Sequence, residues 1–185
     1  MKTSVKFGFF FALLWIIIVL CAFLTGYSVD FFLISEILSL LLLVGAIFLG
    51  LFMTKKESGY EPVNALQDFK VAMQSGLVYT ILVTGFIYVY HNQIDPSIKQ
   101  TFIDQKFTAL KAQYPDVASF EALQAIDPKW ETFSFDDFIE NQEDQATSFI
   151  GPFFTSFFHL MVFFMFSLFY SFFVMIVVRK VILRV

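Results

Sequence analysis

Apolar residues run without interruption through four stretches of the chain, Phe7–Leu24, Phe31–Met53, Val71–Tyr90 and Phe149–Val178. Polar, charged segments separate them. A helix rises about 1.5 Å per residue, so 18 or more residues reach across a hydrocarbon core roughly 30 Å thick. The pattern predicts four transmembrane helices, at about 7–25, 31–53, 71–90 and 149–178. Thr25 to Asp30 is too short for anything but a tight turn, which makes the first two helices an antiparallel hairpin. Lys55 to Lys70 forms a short link in which Gly59 and Pro62 mark turns and Asn64 caps a short helix leading into helix three.

The long segment 91–148 has a different period. Ile94, Ile98, Phe102, Ile103, Phe107, Leu110 and Tyr114 recur at three- and four-residue steps between charged positions, predicting an amphipathic helix that Pro115 ends. Asp116 starts a second helix running through Gln124. Ser134, with Asp137 three residues on and Phe133 and Phe138 placed as a hydrophobic staple, starts a third that reaches about Asp144. The expected fold is an all-α integral membrane protein: helices one to three in residues 1–90, a small helical insertion at 91–148, and helix four with its tail at 149–185.

Charge orients this arrangement. Lys2, Lys6, Lys55, Lys56, Lys70, Arg179, Lys180 and Arg184 fall on one side of the stretches, against Glu57, Glu61 and Asp68. The other side carries four lysines and twelve acids. Basic loops stay in the cytoplasm, so both termini are expected there and the acidic insertion outside, in the periplasm of a bacterial inner membrane. Composition agrees, with 58% hydrophobic residues and a mean hydropathy of +0.73. Lys2 and Lys6 before an apolar run also suit a signal peptide, but 18 apolar residues exceed a typical signal core and no small-x-small cleavage site follows, so helix one is read as permanent. Cys21 is the single cysteine, which excludes an internal disulfide and a cysteine zinc cage.

Candidate chemistry is sparse. Glu36 in helix two and His159 in helix four lie five to eight residues inside the same face of the bilayer, roughly 8–12 Å deep. Ionisable groups at that depth are costly and commonly paired. Either the two meet, directly or through a water, beside Thr84, or Glu36 reaches the interface from the first turns of its helix while His159 bonds a serine. Gly76, Thr80, Thr84 and Tyr88 form a four-residue ridge suited to close helix packing. Ser156, His159, Ser167, Tyr170 and Ser171 share about 120° of helix four, with phenylalanines covering the rest. No nucleophile–base pair, spaced metal motif, phosphate loop or basic nucleic-acid patch is present, and the Asp136-Asp137 and Glu143-Asp144 doublets read as solvated acids. No catalytic residue, metal or cofactor is expected.

The run from Pro62 to Gly76, the Ile94-Asp95-Pro96 exit, and the Phe166-Ser167-Leu168-Phe169-Tyr170-Ser171 tract ending in Val178-Arg179-Lys180 give the chain a resemblance to an uncharacterised four-helix membrane family of Bacteroidota, the domain of unknown function 4199 family. The resemblance implies the topology and an inner-membrane home. It carries no activity, cofactor or catalytic residue. Where that family's last helix has small steps, this chain has Met161, Phe164 and Phe169, which argues against close helix crossing there.

Two function classes follow. One is a non-enzymatic accessory or scaffold protein whose acidic loop engages a membrane or periplasmic protein partner, with Trp130, Phe133, Phe135 and Phe138 as the partner-facing residues. The other is a small oligomeric transport or ion-coupled protein using a polar path near Glu36, Thr84 and His159. One membrane-embedded acid offers little for alternating access, which favours the first. The expected partners are the lipid bilayer and either such a protein or a second copy of the chain, and no nucleic acid.

Overall fold

The computed structural model describes residues 1–61 and 64–183, and of the side chains at 28–30, 32, 152, 182 and 183 it describes nothing. Pro62 and Arg184 therefore lie outside the described residues. Within them the chain is helical throughout: α1 (Thr3–Leu24), α2 (Ser28–Glu57), α3 (Ala65–Val89), α4 (Ser97–Gln113), α5 (Val117–Gln124), α6 (Phe135–Phe149) and α7 (Pro152–Val177). A π turn at Tyr90–Ile94 extends α3, another at Val178–Leu183 extends α7, and a 3-10 turn at Pro128–Trp130 precedes α6. Four of these helices are long and apolar enough to cross a membrane, as in a multi-pass membrane protein.

The first three long helices begin three to six residues before their apolar runs, and α2 also ends four residues beyond its run; two further boundaries differ from the expected pattern. Phe149 belongs to α6, not to the last long helix, because Ile150 and Gly151 break the chain and Pro152 opens α7. Proline has no N–H to continue α6, and it suits a first helical turn, where that donor is unneeded. No separate short helix precedes α3 among the described residues. Asn64 caps α3 itself, its side-chain oxygen accepting from the Leu66 N–H at 3.0 Å.

The chain folds as two compact units, Met1–Val89 with Ser156–Val185, and Tyr90–Thr155. In the first, α1, α2 and α3 pack closely along their lengths. Small residues permit this. A side chain on Gly50 would strike Ser75, and one on Gly8 would strike the Ser75 carbonyl. Contacts fix an up-down-up-down order: Trp15 donates to the Ser35 carbonyl at 3.0 Å across the antiparallel α1–α2 pair, while Ser75 donates to the Ser4 carbonyl at 2.7 Å across the parallel α1–α3 pair. α7 comes within close backbone range of the others at far fewer places. One is Gly76, where an added Cβ would strike Ser167 Oγ and come within 3.1 Å of Ile47. The bulky Met161, Phe164 and Phe169 point outward, so the close crossing that those residues argued against occurs on the opposite, serine-bearing face of α7.

The second unit has a core of Phe120, Trp130 and Phe138, with Leu110, Tyr114, Leu123, Phe133, Phe135 and Ile139 packed around it. Phe120 and Phe138 meet at a tilt, 4.8 Å between ring centroids, and Trp130 meets Phe138 edge-on at 5.0 Å. Of the four residues expected to face a partner, this corrects Trp130 and Phe138, while Phe133 and Phe135 stay half-buried. Trp130 and Phe138 are 6% and 2% exposed, and Phe133 and Phe135 lie against them. A short helical unit has so little apolar material that it must use its aromatics internally to fold at all. Capping boxes fix the starts of α5, from Asp116 and Ser119, and of α6, from Ser134 and Asp137.

Two outcomes test this description. Gly76→Leu overpacks the α3–α7 contact and should lower the stability of the purified protein by about 1–3 kcal/mol, read as a lower unfolding midpoint. Asp137 is held below the ordinary carboxylate range by hydrogen bonds from the Ser134 hydroxyl and then its backbone N–H. A lowered carboxyl supports folding above that range and loses the support as pH falls through its folded value. Circular dichroism should therefore show helix lost at acid pH, and Asp137→Asn should flatten the loss; an unchanged acid curve refutes it.

Candidate functional site

Polar chemistry within the first unit gathers at two levels of the bundle. At one, α2 and α7 run parallel and bring Glu36 and His159 together, with His159 Nε2 3.3 Å from Glu36 Oε1. Both side chains are partly covered, and the His159 ring lies 5.9 Å from that of Phe163. One turn along α2, the Tyr79 hydroxyl donates to the Ser39 carbonyl at 2.9 Å and takes the Ser39 hydroxyl at 3.0 Å. Trp15 anchors the Ser35 carbonyl next to Glu36 from the other side. A carboxylate and an imidazole at this distance can exchange a proton, and gaining or losing one changes the net charge inside an apolar bundle.

Thr84 is buried on the α3 ridge with Gly76 and Thr80, and neither threonine hydroxyl has a hydrogen-bond partner among the described residues. Tyr88, the fourth ridge position, is exposed. On α7, Ser156, Ser167 and Ser171 are buried while most of the phenylalanines face outward.

The second level went unrecognised in the sequence. Asp68, 1% exposed at the start of α3, takes Lys55 Nζ of α2 on one carboxylate oxygen at 2.7 Å and Arg179 Nη1, just past α7, on the other at 2.8 Å. Lys55 also donates to the Glu61 carbonyl at 3.3 Å and is itself 3% exposed. In the sequence these three residues served only as charges for assigning sides. The signal was available: Asp68, Ala72, Gly76, Thr80 and Thr84 continue one four-residue ridge, all of it buried, so the acid lies on a packing face.

Over residues 6–180 the chain matches the family described as Protein of unknown function (DUF4199). The chain belongs to the DUF4199 family. The match takes in both polar levels of this DUF4199 protein and the whole of its second unit. No curated protein and no solved structure matches it.

Removing one member of a buried ionic cluster strands the others. Asp68→Asn leaves Lys55 buried without its counter-charge and should cost about 3–5 kcal/mol, measured by unfolding in detergent. The double variant Asp68→Asn with Lys55→Met should recover much of that loss. A double variant no more stable than Asp68→Asn alone would refute the cluster's role.

Proposed function

We propose that this DUF4199 protein is a multi-pass protein of a bacterial inner membrane, with both termini in the cytoplasm and the helical unit 90–155 in the periplasm. In that setting it acts as a small, non-enzymatic, proton-responsive membrane protein, alone or as a homo-oligomer, through the Glu36–His159 pair. The asymmetry of basic and acidic segments supports the orientation. The observation that carries the function is the 3.3 Å approach of a carboxylate and an imidazole between two long, predominantly apolar helices.

Ionisable groups inside a membrane are costly and often mark ion and proton pathways, and two hydrophobic residues in their place would often pack at no greater cost. The opposing reading, a scaffold that docks a partner through its loop, rested on aromatic residues of which Trp130 and Phe138 lie in the interior of the second unit. The geometry therefore favours the ion-coupled alternative. Among the described residues, the Trp15 indole of α1 donates to the Ser35 carbonyl beside Glu36, and the Tyr79 phenol of α3 is held by Ser39 one turn along α2.

Trp15 sits beside the pair and is one of two tryptophans, which makes it a built-in reporter. In a Trp130→Phe background reconstituted in lipid nanodiscs, its fluorescence should change as the pH is varied. Glu36→Gln and His159→Gln should each flatten that titration. A curve unchanged in both variants sinks the proposal, as does labelling of a cysteine placed at Asp136 solely from the cytoplasmic side.

A further inference from the structure

Four hydroxyls in the long helices, on Thr80 and Thr84 of α3 and on Ser156 and Ser171 of α7, are buried with no hydrogen-bond partner among the described residues. Other covered hydroxyls are partnered: Thr54 donates to the Gly50 carbonyl four residues back, Ser75 donates to the Ser4 carbonyl, and Ser39 bonds the Tyr79 hydroxyl. Back-bonding is the default for a helical threonine in apolar surroundings, and an orphaned buried hydroxyl is costly. The four exceptions therefore mark a place where something else supplies the hydrogen bonds.

Helix register places them in one seam. Asp68 meets Arg179 and Gly76 meets Ser167, so α3 and α7 run antiparallel with Thr80 across from Phe163 and Thr84 near the level of His159. Hydroxyls thus occur in succession from Thr84 to Thr80, Ser167 and Ser171. Ser167 donates to Met73 Sδ at 3.8 Å and keeps its oxygen lone pairs for other donors. Residues four apart on a helix are separated by about 6 Å along its axis, which one water spans with two hydrogen bonds of about 2.8 Å.

We propose that internal waters bridge these hydroxyls into a hydrogen-bonded column that carries protons between the Glu36–His159 pair and the Asp68 carboxylate. The inference rests on the proton-responsive reading and supplies its route. Each water or hydroxyl oxygen in the column accepts one proton and releases another to the next, so no atom is consumed and one proton leaves for each that enters. Phe163, fully packed opposite Thr80, walls the column at that level and routes it through the Thr80 hydroxyl.

The test uses the full chain in vesicles enclosing a pH-sensitive dye, with potassium and valinomycin setting the voltage, alongside thermal unfolding. Wild-type protein should pass protons, Thr80→Val should drop the flux to that of protein-free vesicles, and Thr80→Ser, which restores the hydroxyl, should recover it. Thr80→Val should also leave the melting temperature unchanged or lowered, because a hydrated hydroxyl loses bonds when replaced by a methyl. A raised melting temperature shows a dry seam and overturns the column, as does flux in Thr80→Val equal to wild type. Wild-type vesicles no leakier than empty ones overturn it too, while leaving the Trp15 titration to judge the Glu36–His159 pair separately. If Thr80→Val misfolds, the comparison passes to Ser171→Ala, where flux at the wild-type level or a raised melting temperature again overturns the column and lost flux supports it.

Discussion

The Asp68 carboxylate is shared between cations from two other helices, and the arrangement of the bundle depends on it. In hydrocarbon, one apolar helix gains little by leaving lipid for another, so packing of small residues and buried polar bonds decide which faces meet. The α1–α3 trio has the first kind of tie in abundance, through Gly8, Gly50 and Ser75. α7 has few close approaches and is fixed instead at separated points: Arg179 on Asp68, Ser167 on Gly76, and His159 against Glu36. Three contacts spread along a helix define both its tilt and its rotation.

Aromatic residues, one fifth of the chain, do two unlike jobs. On α7, Phe158, Phe169, Phe172 and Phe173 are exposed, on a helix long and apolar enough to cross a membrane. In the second unit Phe120 and Phe138 face inward around Trp130. The same residue type is outside in one unit and inside in the other, and only the period of the surrounding polar residues distinguishes the two.

That distinction explains what was legible from the sequence. Long apolar runs report helix existence directly, so α1, α2, α3 and α7 could be found by length alone, and the Asp116 and Ser134 starts could be found from capping chemistry. The Glu36–His159 approach was foreseeable because two rare polar residues fall at equal depth. Exposure of Trp130 and Phe138 was misjudged because a turn separates them and their shared core exists only once α5 and α6 fold back. Lys55, Asp68 and Arg179 escaped notice because a charge near a helix end looks the same whether it faces water or another helix. Asp68 differs only in lying on the Gly76 ridge, two turns away.

The second unit's aromatic cluster is drawn from residues between Leu110 and Ile139. Its contacts are local in sequence, and chains with local contacts fold quickly. This unit can close as soon as α6 emerges, before α7 has been synthesised, whereas the bundle must wait for Arg179 to reach Asp68. During biogenesis the three-helix trio therefore holds a buried acid with only Lys55 for company until the last helix arrives, and the order of synthesis makes α7 the closing piece.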